Sequence, residues 1–256
     1  MEPSEFWDRC HGAYDALNNW ADYTAGLDAL VGELDVAPGR SVLDAGSGTG
    51  NFALRLEAAG ANVVGMDFSP IALRRHVEKA PRARVVRGSL EAPLPFADGR
   101  FDRVACLSVL FALSRSGARL ALREFRRVLK PGGALLVSVM KPRQSKAAAF
   151  AGHVRKRYRA QPLGGFVREM GRTLWPVLRV VYYNYLMYTL ARRDGYRRFT
   201  HEELRSEVAA AGFVDLEYGT TFGGRFHVIR ARRPGIPGAS GEPGREEARA
   251  VRLAGA

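Results

Sequence analysis

The stretch Asp44-Ala45-Gly46-Ser47-Gly48-Thr49-Gly50 sets glycines at alternate positions behind an acid, and Asp67 follows seventeen residues beyond Gly50. Glycines let a backbone approach a ligand closely, and a helix that starts just past them offers unpaired N–H groups to it. An acid at the end of the next strand suits two ribose hydroxyls as a bidentate acceptor. The chemistry these residues suit is the holding of a nucleotide-like molecule, not attack by a side chain. A dinucleotide fingerprint wants glycines at the first, third and sixth positions. Here those positions hold Gly46, Gly48 and Asn51, so the third glycine is missing and a nicotinamide cofactor is disfavoured.

The elements around the loop must put it at a strand end. Apolar spacing predicts a helix within residues 4–34, and "SVLDA" is a short apolar strand running into the loop. "NFALRLEAAGA" is a helix, "NVVGMDFS" a second strand and "PIALRRHVEKA" a second helix with Pro70 near its start. "RVVRGSL", "FDRVACLSVL" and "ALLVSVM" are further strands, with the helix "GARLALREFRRVLK" between the last two and "PGG" turning the chain into the fifth strand. Strands alternating with helices at this pace predict an α/β fold built on a doubly wound, mostly parallel sheet. Late in the chain, "FTHEELRSEVAAAGF" is a helix with Thr200 as N-cap and Glu203 completing a capping box. "VDLEYGTTF" and "RFHVIRARR" add two strands, making seven. The expected divisions are a helical cover over 1–35, the cofactor-binding core over 36–140, an insertion over 141–198, a helix and strands completing the sheet over 199–233, and a disordered tail over 234–256.

The net charge of +13 is concentrated in one place. Residues 141–198 hold fourteen Lys/Arg against Glu169 and Asp194, while the remainder is almost neutral, with 25 basic and 24 acidic residues. The same insertion holds six of the nine tyrosines. A local basic excess implies an anionic partner, unless it is only a solvated helix face. Cys10 and Cys106 lie far apart and no signal-peptide pattern opens the chain, which points to a reducing cytoplasm.

The acid two residues before the first glycine, Gly50 at the fifth position, and "FDRV" and "RVLKPGG" downstream in order resemble the class I S-adenosylmethionine-dependent methyltransferases, in particular their small-molecule, type 11-like group. The resemblance is strong from Val42 to Val139 and weaker from Phe199 to Arg230. It implies a Rossmann-like fold with a helical insertion after strand five, and S-adenosylmethionine as cofactor. By that resemblance Asp44 and the backbone of Gly46, Ser47, Gly48 and Gly50 hold the amino acid end, Asp67 takes the ribose hydroxyls, and Phe68 lies against the adenine. Ser89 stands where the family usually has Asp, so Ser89 or Leu90 meets the adenine edge. Tyr14, in "YD", either folds over the cofactor or packs its own helix. The end of strand four, with Cys106, faces the methyl group. Cys106 itself reads as a buried structural thiol.

Methyl transfer from a sulfonium is an in-line displacement, so positioning matters most and a dedicated base is optional. His11 and His153 are the only histidines in segments able to roof the site, and they are weak candidates for a catalytic base. His76, beside two arginines on a helix read as surface-facing, is expected to be inert, His201 exposed, and His227 an alternating strand residue. No spacing suggests a metal.

The connection after strand five commonly carries acceptor recognition in the families this chain resembles. Arg168, Arg172 and Arg179 form one stripe of the insertion, flanked by Trp175, and Tyr182 and Tyr185 belong to its apolar part. The expectation is a lid over a small, hydrophobic acceptor, such as an aromatic natural product, quinone or lipid, with an anionic end for the arginines. A peripheral contact with the inner face of a membrane also suits arginine beside Trp/Tyr, and a homodimer would bury the same face. Two other readings stay open: a nucleic-acid methyltransferase, disfavoured because the amino-methylase string is absent, and a non-catalytic cofactor-binding interaction protein.

Overall fold

Val42, Leu43 and Ala45 make β1 (Ser41–Ala45) an apolar run buried on both faces, which an interior parallel strand requires. In the computed structural model, which describes residues 15, 18, 21–141, 178, 182 and 199–236, β1 is the third strand of a seven-stranded sheet. The elements follow as α1 (Ala21–Leu34), β1, α2 (Ala53–Ala58), β2 (Asn62–Asp67), α3 (Pro70–Lys79), β3 (Arg84–Arg87), β4 (Phe101–Leu107), α4 (Arg115–Val128), β5 (Leu129–Met140), α5 (His201–Ala210), β6 (Val214–Thr221) and β7 (Phe226–Arg232). The strand order is β3-β2-β1-β4-β5-β7-β6. The first five strands pair in parallel, and β7 runs antiparallel to both β5 and β6. Between β1 and β4 the winding direction reverses. Open α/β sheets take their ligands at the carboxyl ends beside such a switch point.

Strand alternation splits the core in two. Leu43, Ala45, Met66, Val104 and Cys106 face α4 and α5, where Leu122, Phe125, Leu204 and Val208 close the layer. Val42, Val63, Ala105 and Leu136 face α1 and α2, through Leu27, Leu30, Leu34 and Leu56. The α5 entry has its predicted cap: Thr200 Oγ1 accepts from Glu203 N at 3.2 Å, and Thr200 N donates to Glu203 Oε2 at 2.9 Å. Thr200→Ala leaves the Glu203 N–H without its side-chain acceptor. A loss of about 1 kcal/mol in urea unfolding, with an unchanged slope, is expected.

Three sequence expectations need correction. The "PGG" motif does not precede strand five but lies within it: β5 begins at Leu129, and Gly132 (φ +74°) sits in an irregularity of the β4–β5 ladder between Phe101 and Arg103. Strand four stops at Leu107, because Ser108 turns left-handed (φ +59°) and a 3₁₀ turn, Leu110–Ala112, follows. His76 does not face solvent. It is 1% exposed, because α3 lays that face against the glycine loop. The expected helix over 4–34 is seen as α1. Its earlier part, apart from Asp15 and Asn18, lies outside the described residues, as do the tail from 237 and nearly all of the insertion.

Candidate cofactor site

The loop after β1 is fastened to the end of β2. Gly46 N and Ser47 N both donate to Met66 O, at 2.7 and 3.0 Å. Asp67 spans the gap with both oxygens: Gly48 N donates to Oδ2 and Ser69 N to Oδ1, each at 2.9 Å. Gly46 (φ +78°) and Gly50 (φ +81°) are required twice over. A Cβ at Gly46 would fall 2.4 Å from Val109 Cγ2, and one at Gly50 would fall 2.2 Å from the His76 ring. Any side chain there would meet both the left-handed penalty and a collision.

Asp44 is the electrostatic centre of the site. Its register partners are Gly65 in β2 and Ala105 in β4, so the carboxylate sits at the switch point. It is 2% exposed, and Oδ2 has no hydrogen-bond partner among the described residues. Burial, and then the nearby charge of Asp67, pushes its carboxyl up to about 7. A buried acid with an unsatisfied oxygen at the mouth of a glycine loop is suited to a cationic group, which would restore both charge balance and hydrogen bonding. The ammonium of S-adenosylmethionine fits that need. Phe68, at the end of β2, leaves 38% of its surface open and offers an apolar face beside Asp67. Ser89 is exposed and its Oγ accepts from Glu91 N at 3.1 Å, while Leu90 is buried beside it. Gly88 N donates to Asp67 O at 3.0 Å, holding this segment against the end of β2.

Cys106 departs from its expected place. It is fully enclosed among the core residues between the sheet and α4, and burial raises its thiol well above the ordinary value. It is an inert core residue with no open surface for a cofactor. Tyr14, His11 and His153 lie outside the described residues, and so do Arg168, Arg172, Trp175, Arg179 and Tyr185. Of that last group's neighbours, Tyr182 is described: it is helical and 58% exposed.

Sequence reasoning missed a polar network over the loop. Lys79 Nζ donates to Thr49 Oγ1 (2.9 Å), Asn51 Oδ1 (2.7 Å) and Asp15 Oδ1 (2.9 Å). Thr49 Oγ1 also donates to Asp15, and Asn18 Nδ2 donates to Asn51 Oδ1 at 2.7 Å. The departure from the dinucleotide pattern at Asn51 was the available signal, because a polar side chain in place of that glycine must find partners. A second missed cluster stands where the insertion rejoins the sheet. Tyr218 Oη lies 2.9 Å from His227 Nδ1, and the His201 ring is 3.7 Å from that of Tyr218, so His201 is half-buried, contrary to expectation.

Comparison with known proteins agrees with this geometry. Residues 42–133 match the family described as "Methyltransferase domain". A demethylmenaquinone methyltransferase from Parafrankia sp. is 30% identical over 271 residues, covering 90% of this chain and 92% of the relative. A malonyl-[acyl-carrier protein] O-methyltransferase from Erwinia pyrifoliae is 46% identical over 99 residues, 39% of this chain and 37% of the relative. Other relatives that match well are spanned over about half their length, for example 51% and 58%. Among solved structures, an S-adenosylmethionine-dependent methyltransferase from Thermotoga maritima, titled a possible histamine N-methyltransferase, superposes with a TM-score of 0.59 at 20% identity, covering 90% of this chain and 99% of that one. The seven-stranded order, the glycine loop and the near full-length relative define the class. This chain belongs to the class I S-adenosylmethionine-dependent methyltransferases, and S-adenosylmethionine is the cofactor of that class.

Proposed function

We propose that this protein transfers the methyl group of S-adenosylmethionine to a small hydrophobic acceptor of the quinone or hydroxylated-aromatic class. The observation that carries this reading is the near full-length similarity to a demethylmenaquinone methyltransferase. The match to the acyl-carrier-protein enzyme spans only 39% of this chain and says little about the acceptor side.

When bound, the cofactor supplies a methyl group already activated on a sulfonium sulfur. The remaining work falls to the chain. Asp44, with its unsatisfied Oδ2, would take the ammonium of the amino acid end, and the backbone of Gly46 to Gly50 would close around it. Asp67 keeps its two backbone donors and uses its remaining lone pairs for the ribose hydroxyls. Phe68 covers one face of the adenine, with Ser89 and Leu90 at its edge. The bound cofactor would give its methyl carbon to the acceptor's nucleophilic atom, its sulfur keeping the electrons of the broken bond. The acceptor's proton leaves to solvent or to a neighbouring group. Alignment supplies most of the acceleration, since positioning two reactants contributes up to about 7–11 kcal/mol.

The acceptor side belongs to the insertion over 141–198, whose charge of +12 and concentration of tyrosines suit a hydrophobic molecule with an anionic end, or an anionic membrane holding it. The test is incubation with short-chain demethylmenaquinol and isotopically labelled cofactor, followed by mass spectrometry. A product one methyl heavier is expected, and no labelled product from any quinol or phenol would reject the acceptor class. Replacing Arg168, Arg172 and Arg179 together with glutamine should raise KM for the acceptor or weaken vesicle binding. The effect should shrink at high salt, where screening over about 8–10 Å already weakens exposed charges. Cofactor affinity should hold.

A further inference from the structure

His76 is the one imidazole in the described residues that is fully enclosed, and neither ring nitrogen has a hydrogen-bond partner there. An unpartnered buried imidazole is costly and needs a reason. Its surroundings give one. The ring lies against Gly50 from the loop side, where an added Cβ would fall 2.2 Å from its Cδ2. It lies equally against Gly65 of β2, whose added Cβ would fall 2.8 Å from its Cε1 and 2.9 Å from Ser47 Oγ. Gly65 is the register partner of Asp44, so the imidazole fills the space behind the acid and under the loop. One helical turn on, Lys79 emerges from the same face of α3 and holds Thr49 and Asn51, the residues flanking Gly50. Thus α3 supports three consecutive loop residues: Gly50 by contact with His76, and its two neighbours by hydrogen bonds from Lys79.

We infer that His76 is a positioning residue of the cofactor site, whose uncharged ring sets the curvature of the Thr49-Gly50-Asn51 segment and whose protonation releases it. The ring touches no reacting atom and acts through the loop. A proton would place a second cation under a loop already held by Lys79, where neither ring nitrogen makes a hydrogen bond to a described residue. The titratable groups on the elements packed around it are Lys79 and Arg75 on its own helix, Asp44 and Asp67 at the ends of β1 and β2, and Asp15 over the loop. Burial and then the Lys79 charge hold the imidazole below its ordinary value. The neutral form is therefore the native one at pH 7. Stability linked to it falls as pH drops through the unfolded imidazole's range.

The test uses the full chain and S-adenosylhomocysteine, the stable demethylated cofactor, in calorimetry from pH 8 to 5. Asp44 alone contributes at most a tenfold loss per pH unit below its titration, because one proton is involved. The parent protein should fall more steeply than that at the acid end of the range. His76→Leu, which fills the space without the shape of the ring, should bind more weakly than the parent at pH 7.5 and lack the extra steepness. Relative to their affinities at pH 8, the two should diverge by about threefold or more at the acid end of the range. Parallel profiles would reduce His76 to a space-filler and overturn the inference. Should His76→Leu fail to fold, the same question is answered in the parent by following the His76 ring proton in NMR. Saturating S-adenosylhomocysteine should lower the pH at which it titrates, and an unmoved titration refutes the coupling.

Discussion

Asp67→Ala should weaken S-adenosylhomocysteine binding by about a hundredfold or more while the protein remains folded. Hydrogen bonds to charged groups contribute about 1.5–3 kcal/mol each, and a tenfold change in affinity corresponds to about 1.4 kcal/mol. Asp67 accepts two such bonds from backbone donors, Gly48 N and Ser69 N, before any cofactor arrives. Without the carboxylate, Gly48 N loses its partner and the loop loses a tether to β2, so the free protein no longer holds the bound shape. The proposed ribose contact is lost as well. Asp67→Asn separates these effects. An amide oxygen can serve one backbone donor, but its NH₂ faces the other, so an intermediate loss is expected. Calorimetry with circular dichroism as the folding control decides the matter. Affinity within threefold of the parent for Asp67→Ala would show that neither the tether nor the ribose contact carries weight.

The cofactor half was legible in the sequence because its signals are local. Positive-φ glycines, an acid two residues ahead of them and another at the next strand end can all be read along the chain, and the structure brings them to one switch point. Thr200 and Glu203 were readable for the same reason, since a capping box closes within four residues. His76 was misread because its neighbours, Arg74 and Arg75, suggested a solvent-facing stretch. Burial on a helix depends on what the opposite layer leaves open, and here Gly50 and Gly65 leave a space large enough for a ring. Cys106 was half right: the inert thiol was legible from its apolar strand, but the direction of its side chain depends on strand phase. The Tyr218–His227 pair crosses two strands whose register no local pattern gives.

The same contrast separates the two halves of the proposed function. Cofactor binding rests on backbone shape, and one arrangement serves many relatives. Acceptor choice is the part that we assign by proposal to side chains of the insertion, and fold likeness gives no guidance to it. The network from Asp15 and Asn18 to Thr49 and Asn51 ties the described residues ahead of α1 to the glycine loop by direct hydrogen bonds.

Asp44→Asn should stabilise the protein and disable it at once. The native carboxyl is pushed up to about 7, well above the ordinary carboxylate range, by burial and by Asp67. Its folded pKa exceeds its unfolded one, so the native state binds the extra proton between about pH 4 and 7, and stability drains away as pH rises through that window. Above pH 7 the penalty is complete, amounting to as much as about 4 kcal/mol for a shift of about three units. An uncharged amide of the same shape escapes it. In thermal or urea unfolding at pH 8 the Asn variant should therefore exceed the parent by an amount approaching that ceiling, and the advantage should vanish below about pH 3, where the parent's carboxyl is protonated in both states. Cofactor binding should run the opposite way. A ligand that sets its ammonium against Asp44 favours the ionised acid, so the parent should bind more weakly as pH falls through 7 and should release a proton on binding near pH 6. Calorimetry in buffers of different ionisation enthalpy reads that release directly. The Asn variant should bind at least about thirtyfold more weakly at pH 8, with no Asp44-linked proton release, since the charge-assisted contact, about 2–3 kcal/mol, is gone. If the variant is no more stable than the parent at pH 8, the buried acid already has a compensating partner and the electrostatic picture of the site is wrong. If it is more stable but binds S-adenosylhomocysteine as the parent does, the strain is real and Asp44 does not hold the cofactor's amino acid end.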